Sequence, residues 1–220
     1  MNERSKGLAA LAVAGALTMG SVGTQAALFD RGGGMIYDSD LNITWLQDWN
    51  VNGLMLWDQA NSWAEGLTVG GFTDWRLPVA ADTWCQGYGC ASELAHMFYD
   101  VFGGTSGKSV LSGANTANLS MFVNIQDDLE PSFAAYWMGT EDVHHPGYHK
   151  ELWMIDAGGG IFGGGVQGAT GDPERLYAVA VRPGDVISAA PEPETWALML
   201  LGLGAMAGLG RRTQRRACSA

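Results

Sequence analysis

Apolar and polar positions along this chain follow two periods, and the change of period divides it into elements. Met35-Ile36-Tyr37-Asp38 and Ile43-Thr44-Trp45-Leu46 are short β-rich runs on either side of the polar stretch Ser39-Asp40-Leu41-Asn42. They predict a hairpin or two successive strands. From Trp57 the apolar positions recur at helical spacing, at Ala60, Ala64 and Leu67, with Asp58 in the first turn. This predicts an amphipathic helix ending at Gly70-Gly71. Asp74-Trp75-Arg76-Leu77-Pro78 reads as extended chain closed by proline. A second helix is predicted over residues 92–102, capped by Ser92, with Leu94, Met97, Phe98 and Val101 on its apolar face. Residues 103–119 are rich in Gly, Ser and Asn and read as a long loop. Residues 133–140, 150–157, 161–166 and 176–183 then read as strands, with Gly158-Gly159-Gly160 as a hairpin turn. Strand, helix, helix and several strands, without internal repeats, is the order of an α+β domain: two helices and a mainly antiparallel twisted sheet.

The two ends follow neither period. Arg4 and Lys6 precede an apolar run from Gly7 to about Gly23, and Thr24-Gln25-Ala26 places small residues at a cleavage site. That is the pattern of a secretory signal peptide over residues 1–26. At the other end, Thr195 to Gly210 is an apolar stretch of 16 residues. As a helix it would be about 24 Å long at ~1.5 Å per residue, against a hydrocarbon core of roughly 30 Å. It is adequate as a temporary membrane stop. Arg211, Arg212, Arg215 and Arg216 would stay on the cytoplasmic side. Pro191-Glu192-Pro193 would break a helix at the outer face.

Pro191-Glu192-Pro193, then Thr195-Trp196-Ala197-Leu198-Met199-Leu200, a Gly-rich apolar helix and an arginine cluster resemble the PEP-CTERM sorting signal. The resemblance implies a Gram-negative, exopolysaccharide-producing source. It also implies exosortase, a membrane-embedded cysteine peptidase or transpeptidase, as the processing partner. The segment 187–220 would hold the protein in the inner membrane only transiently, and its removal would release the domain to the cell surface or extracellular matrix. Cys218 would leave with the tail.

Without both ends about 160 residues remain, enough for one sizeable core. Charge changes the picture further. Residues 27–190 hold six Lys and Arg against 20 Asp and Glu, a formal −14. Such a chain repels nucleic acid and anionic lipid at long range, so no nucleic-acid partner is expected; cations, basic partners and neutral glycans suit it. Eight of the nine tryptophans lie in this region, and the 32 glycines of the chain imply many turns.

Cys85-Gln86-Gly87-Tyr88-Gly89-Cys90 is the first stretch with candidate chemistry. In an oxidising compartment two cysteines at this spacing close a small disulfide loop; a redox or copper-binding pair is the alternative. His144-His145-Pro146-Gly147-Tyr148-His149 holds three of the four histidines, but Pro146-Gly147 prevents the helix that would place His145 and His149 on one face, so an exposed hairpin loop is expected. His96, near the apolar face of the second helix, is expected to be structural. Asp38, Asp40 and Asn42 begin like a calcium loop, yet Ile43 and Trp49 stand where an EF-hand needs Gly and Glu. A looser calcium site at Asp38, Asp40 and Asn42, at Gln126-Asp127-Asp128 or at Glu141-Asp142 remains open; no other cofactor is expected. The lectin-type calcium signature is not met, since Glu130-Pro131-Ser132 has Ser where Asn or Asp is wanted. Trp84 and Tyr88, at the cysteine loop, are candidate ligand-binding residues, because an aromatic face packs well on a sugar ring. Trp45, Trp57, Trp75, Trp137 and Trp153 fall within predicted elements and are expected in the core. Neither Gly-x-Ser-x-Gly nor His-Glu-x-x-His occurs.

Several of these pieces, in order, resemble a bacterial family: Asp38 with Leu41-Asn42-Ile43-Thr44-Trp45-Leu46, Trp57-Asp58-Gln59-Ala60, Gly70-Gly71-Phe72-Thr73-Asp74-Trp75-Arg76-Leu77-Pro78, Ser92-Glu93-Leu94, Tyr136-Trp137-Met138-Gly139-Thr140 and Ala180-Val181-Arg182-Pro183-Gly184. It is a domain of unknown function also found as the C-terminal domain of the Legionella collagen-like adhesin. It is related in fold to formylglycine-generating enzymes and C-type lectins. The resemblance covers roughly residues 33–186 and implies a C-type-lectin-like fold for a domain at 27–186 and a surface-binding role, with no catalytic residues to transfer. The formylglycine-generating enzymes carry an active cysteine pair at the spacing of Cys85 and Cys90, but late in the domain, whereas here the pair precedes the second helix. The expectation is therefore a non-enzymatic, adhesin-like protein that binds exopolysaccharide or another surface ligand. A redox or copper enzyme at Cys85 and Cys90, or a self-associating matrix protein, are the alternatives.

Overall fold

The computed structural model describes residues 27–81, 84–127, 134–154 and 163–186. The signal-peptide residues, the sorting segment with Pro191, Glu192 and Pro193, the glycine turn at 158–160 and Asp128 lie outside them.

Two antiparallel sheets and a few short helices make a mixed α and β architecture. Strands β1 (Leu28–Gly32), β2 (Met35–Asp38), β3 (Ile43–Leu46) and β7 (Val181–Pro183) form the first sheet in that spatial order. The expected hairpin is present: β2 pairs with β3 in the register Met35↔Leu46 to Asp38↔Ile43. Asp38 Oδ1 accepts the backbone N–H of Asp40 at 2.9 Å, and Asn42 takes φ 53° to close the turn. All four residues of β3 are buried, as an interior strand requires. The edge strand β1 was not predicted: Leu-Phe-Asp-Arg-Gly does not alternate, and its burial does not either. The second sheet has the order β4 (Ala135–Glu141), β5 (Tyr148–Trp153), β6 (Gln167–Gly171).

The structure corrects several expectations. There are two sheets, not one. The first helix, α1 (Trp57–Glu65), stops at Gly66, whose N–H bonds to Ser62 O, and Gly70-Gly71 instead turns the chain at positive φ between Val69 and Phe72. The second helix begins as expected, with Ser92 Oγ accepting the Ala95 N–H at 3.0 Å over α2 (Glu93–His96). It then widens to a π-helix (Met97–Val101), which keeps Met97, Phe98 and Val101 buried. The predicted loop at 103–119 contains a 3₁₀ turn (Val110–Ser112) and α3 (Thr116–Leu119), capped by Ser109 and Asn115. Of the strand expected at 161–166 only residues 163–166 are among those described; they form a turn against Phe98 and Tyr99, with Tyr99 Oη donating to Gly165 O, and β6 starts at Gln167. Of the strand expected at 176–183 only the last part joins a sheet; Leu176 and Tyr177 bridge to Met55 and Tyr136.

A cluster of rings fills the core between the sheets and helices. Trp49, fully buried, stacks on Trp45 at 5.7 Å and meets Phe102, Phe122 and Tyr136 at 5.3–5.8 Å. Trp45, Trp75 and Trp137 are core residues as expected, whereas Trp57 and Trp153 are only half-buried.

Candidate functional site

Cys85 and Cys90 are joined by a disulfide. The loop they close turns at Gly87 and Gly89, both at positive φ, and exchanges two backbone hydrogen bonds with β6 through Gly87 and Gln167, at 2.8 and 2.9 Å. Side chains from the second sheet fasten it from below. Gln167 Nε2 and Lys150 Nζ both donate to the Cys85 carbonyl, at 3.1 and 3.3 Å. Lys150 also forms an ion pair with Asp142, Nζ to Oδ2 2.7 Å, with both side chains fully buried. Asp142 accepts from Gln86 Nε2 in the loop and from the backbone N–H groups of His144 and His145. Burial alone would raise the Asp142 pKa. The Lys150 ammonium and the converging N–H donors outweigh that and hold it well below the ordinary carboxylate range. One buried carboxylate thus ties the disulfide loop to the turn between β4 and β5.

That junction presents a row of rings to solvent. Trp84 is 66% exposed and meets the His144 ring edge-on, centroids 3.5 Å apart. His144 lies 6.3 Å from His145, which lies 5.5 Å from Tyr148, itself exposed. Tyr88 is exposed on the same loop, with its hydroxyl over Gly107. The rings of His144, His145 and Tyr148 were missed as partners of Trp84, because the disulfide loop and the hairpin are brought together by contacts of Asp142 and Lys150 with a loop far away in sequence. The run of ring-bearing residues at 144–149 was the available signal. The three histidines do not converge. Gly147, at φ +85°, turns the chain, and His149 points inward to stack on Trp57 at 3.6 Å and 7°. Burial there lowers the His149 pKa.

Of the residues Asp38, Asp40 and Asn42, the first and last have side-chain oxygens engaged by protein partners. The Asp38 side chain is buried, with Oδ1 on the turn and Oδ2 3.0 Å from His96 Nε2. Asn42 Oδ1 accepts from Tyr37 Oη at 2.9 Å. Among the described residues no group of three His, Cys, Asp or Glu is placed to hold a metal ion. His96 Nδ1 faces Asp100 Oδ2 at 3.2 Å. An imidazole flanked by two carboxylates donates to both only when doubly protonated. Burial works against that form, but Asp38 and Asp100 outweigh it and raise the pKa. His96 lines a cavity of about 450 Å³ with Leu41, Val79, Cys90, Ala95 and Tyr99.

Comparison with known proteins identifies one segment. Residues 189–216 match the family model of the PEP-CTERM protein-sorting motif. No curated protein and no solved structure matches the chain. The motif marks an exported protein that exosortase processes at the membrane on its way to the cell surface.

Proposed function

We propose that the released domain binds exopolysaccharide or another surface glycan, without catalysis, through the ring row at the disulfide loop. The observation that carries this reading is Trp84: a large, exposed indole on a loop braced by a disulfide and a buried ion pair. A braced aromatic binds without much ordering cost, and the acidic surface suits a neutral or cationic polymer. Cys90 is buried within the disulfide, which favours a bracing role over a redox or copper pair. The finer fold reading belongs with this proposal. A C-type-lectin-like, adhesin-type domain is supported by the α+β order and by a sheet that unites the domain's first and last strands.

The test is co-sedimentation of the processed protein with the producing cell's exopolysaccharide, with and without calcium. Saturable binding that Trp84→Ala abolishes, at unchanged thermal stability, is the expected result. Loss on chelation would bring the acidic turns into the site; absence of binding in both conditions would end the reading.

A further inference from the structure

The place where the folded domain hands over to the sorting segment is unusually well secured. Gly184 N–H donates to Asn42 O at 2.8 Å, and Thr44 Oγ1 donates to Gly184 O at 2.8 Å. Asp185 is then held by Arg31, which comes from β1 at the opposite edge of the sheet, through two hydrogen bonds of 2.8 and 2.5 Å. On its way the guanidinium passes over the rings of Phe29 and Tyr37, at 5.0 and 5.3 Å, and these two rings stack on each other at 6.1 Å. Val186 is buried.

Only four residues separate Val186 from Pro191. Fully extended, they let Pro191 reach about 18 Å from Val186 at ~3.6 Å per residue. A domain of this size has a radius of gyration of about 15 Å, so its diameter exceeds that reach. The apolar stretch that enters the membrane begins at Thr195, just beyond the motif. An enzyme that grips Pro191-Glu192-Pro193 at the membrane therefore has the folded domain pressed against it, unless β7 is torn from β3.

We infer that exosortase docks on the domain itself, on the patch formed by Phe29, Arg31 and Tyr37 beside the exit of the chain, as well as on the sorting segment. The occupant is fixed by the short tether: whatever grips the motif must lie within that reach of Val186, the residue after Asp185. The patch has the composition of an interface centre, with Phe29 42% exposed, a second aromatic and an arginine. The bilayer surface is the competing occupant, but the domain's excess of carboxylates disfavours anionic lipid.

The experiment uses the full-length chain in exosortase-containing membranes, with a photo-reactive phenylalanine analogue at position 29 and, separately, at position 84. The expected result is an adduct with exosortase from position 29 and none from position 84. Adducts with lipid alone, or equal adducts from both positions, would overturn the inference. In parallel, Phe29→Ser combined with Tyr37→Ser is expected to slow removal of the tail about tenfold, the scale of losing a well-packed interface anchor. Val51→Ser combined with Leu111→Ser, two exposed apolar positions outside both patches, is the control and is expected to be processed at the unaltered rate. If both pairs slow processing alike, or neither does, docking on this patch is refuted. Protease resistance of the precursors shows that each variant is folded.

Discussion

Replacing Glu151 with Gln should make the domain markedly more tolerant of alkaline pH. Glu151 stands on β5 opposite Trp137 and Gly168, is 4% exposed, and has its Oε1 in the space that a β-carbon at Gly168 would take. Its Oε2 is buried and has no hydrogen-bond partner among the described residues. Burial pushes its pKa up to about 8 from an ordinary 4.5, only partly offset by the Trp153 indole and the Lys150 charge. The unfolded chain releases this proton above its ordinary pKa, whereas the folded domain holds it until about pH 8. Stability from this group is therefore complete at acidic pH and falls as pH rises through that window. At ~1.4 kcal/mol per pKa unit the total loss is about 5 kcal/mol, of which about 3 kcal/mol falls between about pH 6 and 9. For a domain of this length that is a fall in Tm of about 6–12 °C. Glutamine keeps the shape and cannot ionise. Thermal unfolding of the processed protein, followed by circular dichroism from mildly acidic to alkaline pH, should show the Gln variant's Tm falling less by that amount. Parallel curves for the two proteins would refute the idea that Glu151 is held protonated.

Other contacts make shorter predictions. Asp142→Asn leaves the Lys150 ammonium buried without its counter-charge and should cost about 3–5 kcal/mol in denaturant unfolding. Replacing both Cys85 and Cys90 with Ser opens a small loop and should cost about 2 kcal/mol, read as a lower midpoint under non-reducing conditions. His96 has a raised pKa, so its stabilisation is complete below the ordinary histidine value and is lost as pH rises through the folded value. His96→Gln should flatten stability across that window; an unchanged slope would show that His96 is not an imidazolium between Asp38 and Asp100.

Elements whose burial is local were readable before the structure. The β2–β3 turn, the Ser92 cap and the cores of α1 and α2 each rest on residues a few positions apart. What could not be read depends on partners far along the chain. Leu28–Gly32 is a strand because β2 supplies its hydrogen bonds, not because its own pattern demands it. Gly164 and Gly165 look like part of a strand in sequence but are needed side-chain-free where the backbone packs on Phe98 and Tyr99. The same holds for the site. Trp84 and Tyr88 were legible as exposed aromatics near a disulfide. Their setting was not, because Lys150 and Gln167 reach the loop from β5 and β6 and Asp142 from the turn between β4 and β5.

The position of β7 has a consequence in time. Its partner β3 lies near the start of the domain, and the Thr44 to Gly184 contact spans 140 residues. A chain exported from its N-terminus therefore exposes one bare edge of β3 until nearly the whole domain has crossed the membrane, and such an edge is a template for mispairing. Closure waits for the residues that directly precede the sorting segment. Folding is thus completed only as the sorting motif itself arrives, and a chain cut short before Val181 would emerge with its first sheet unfinished.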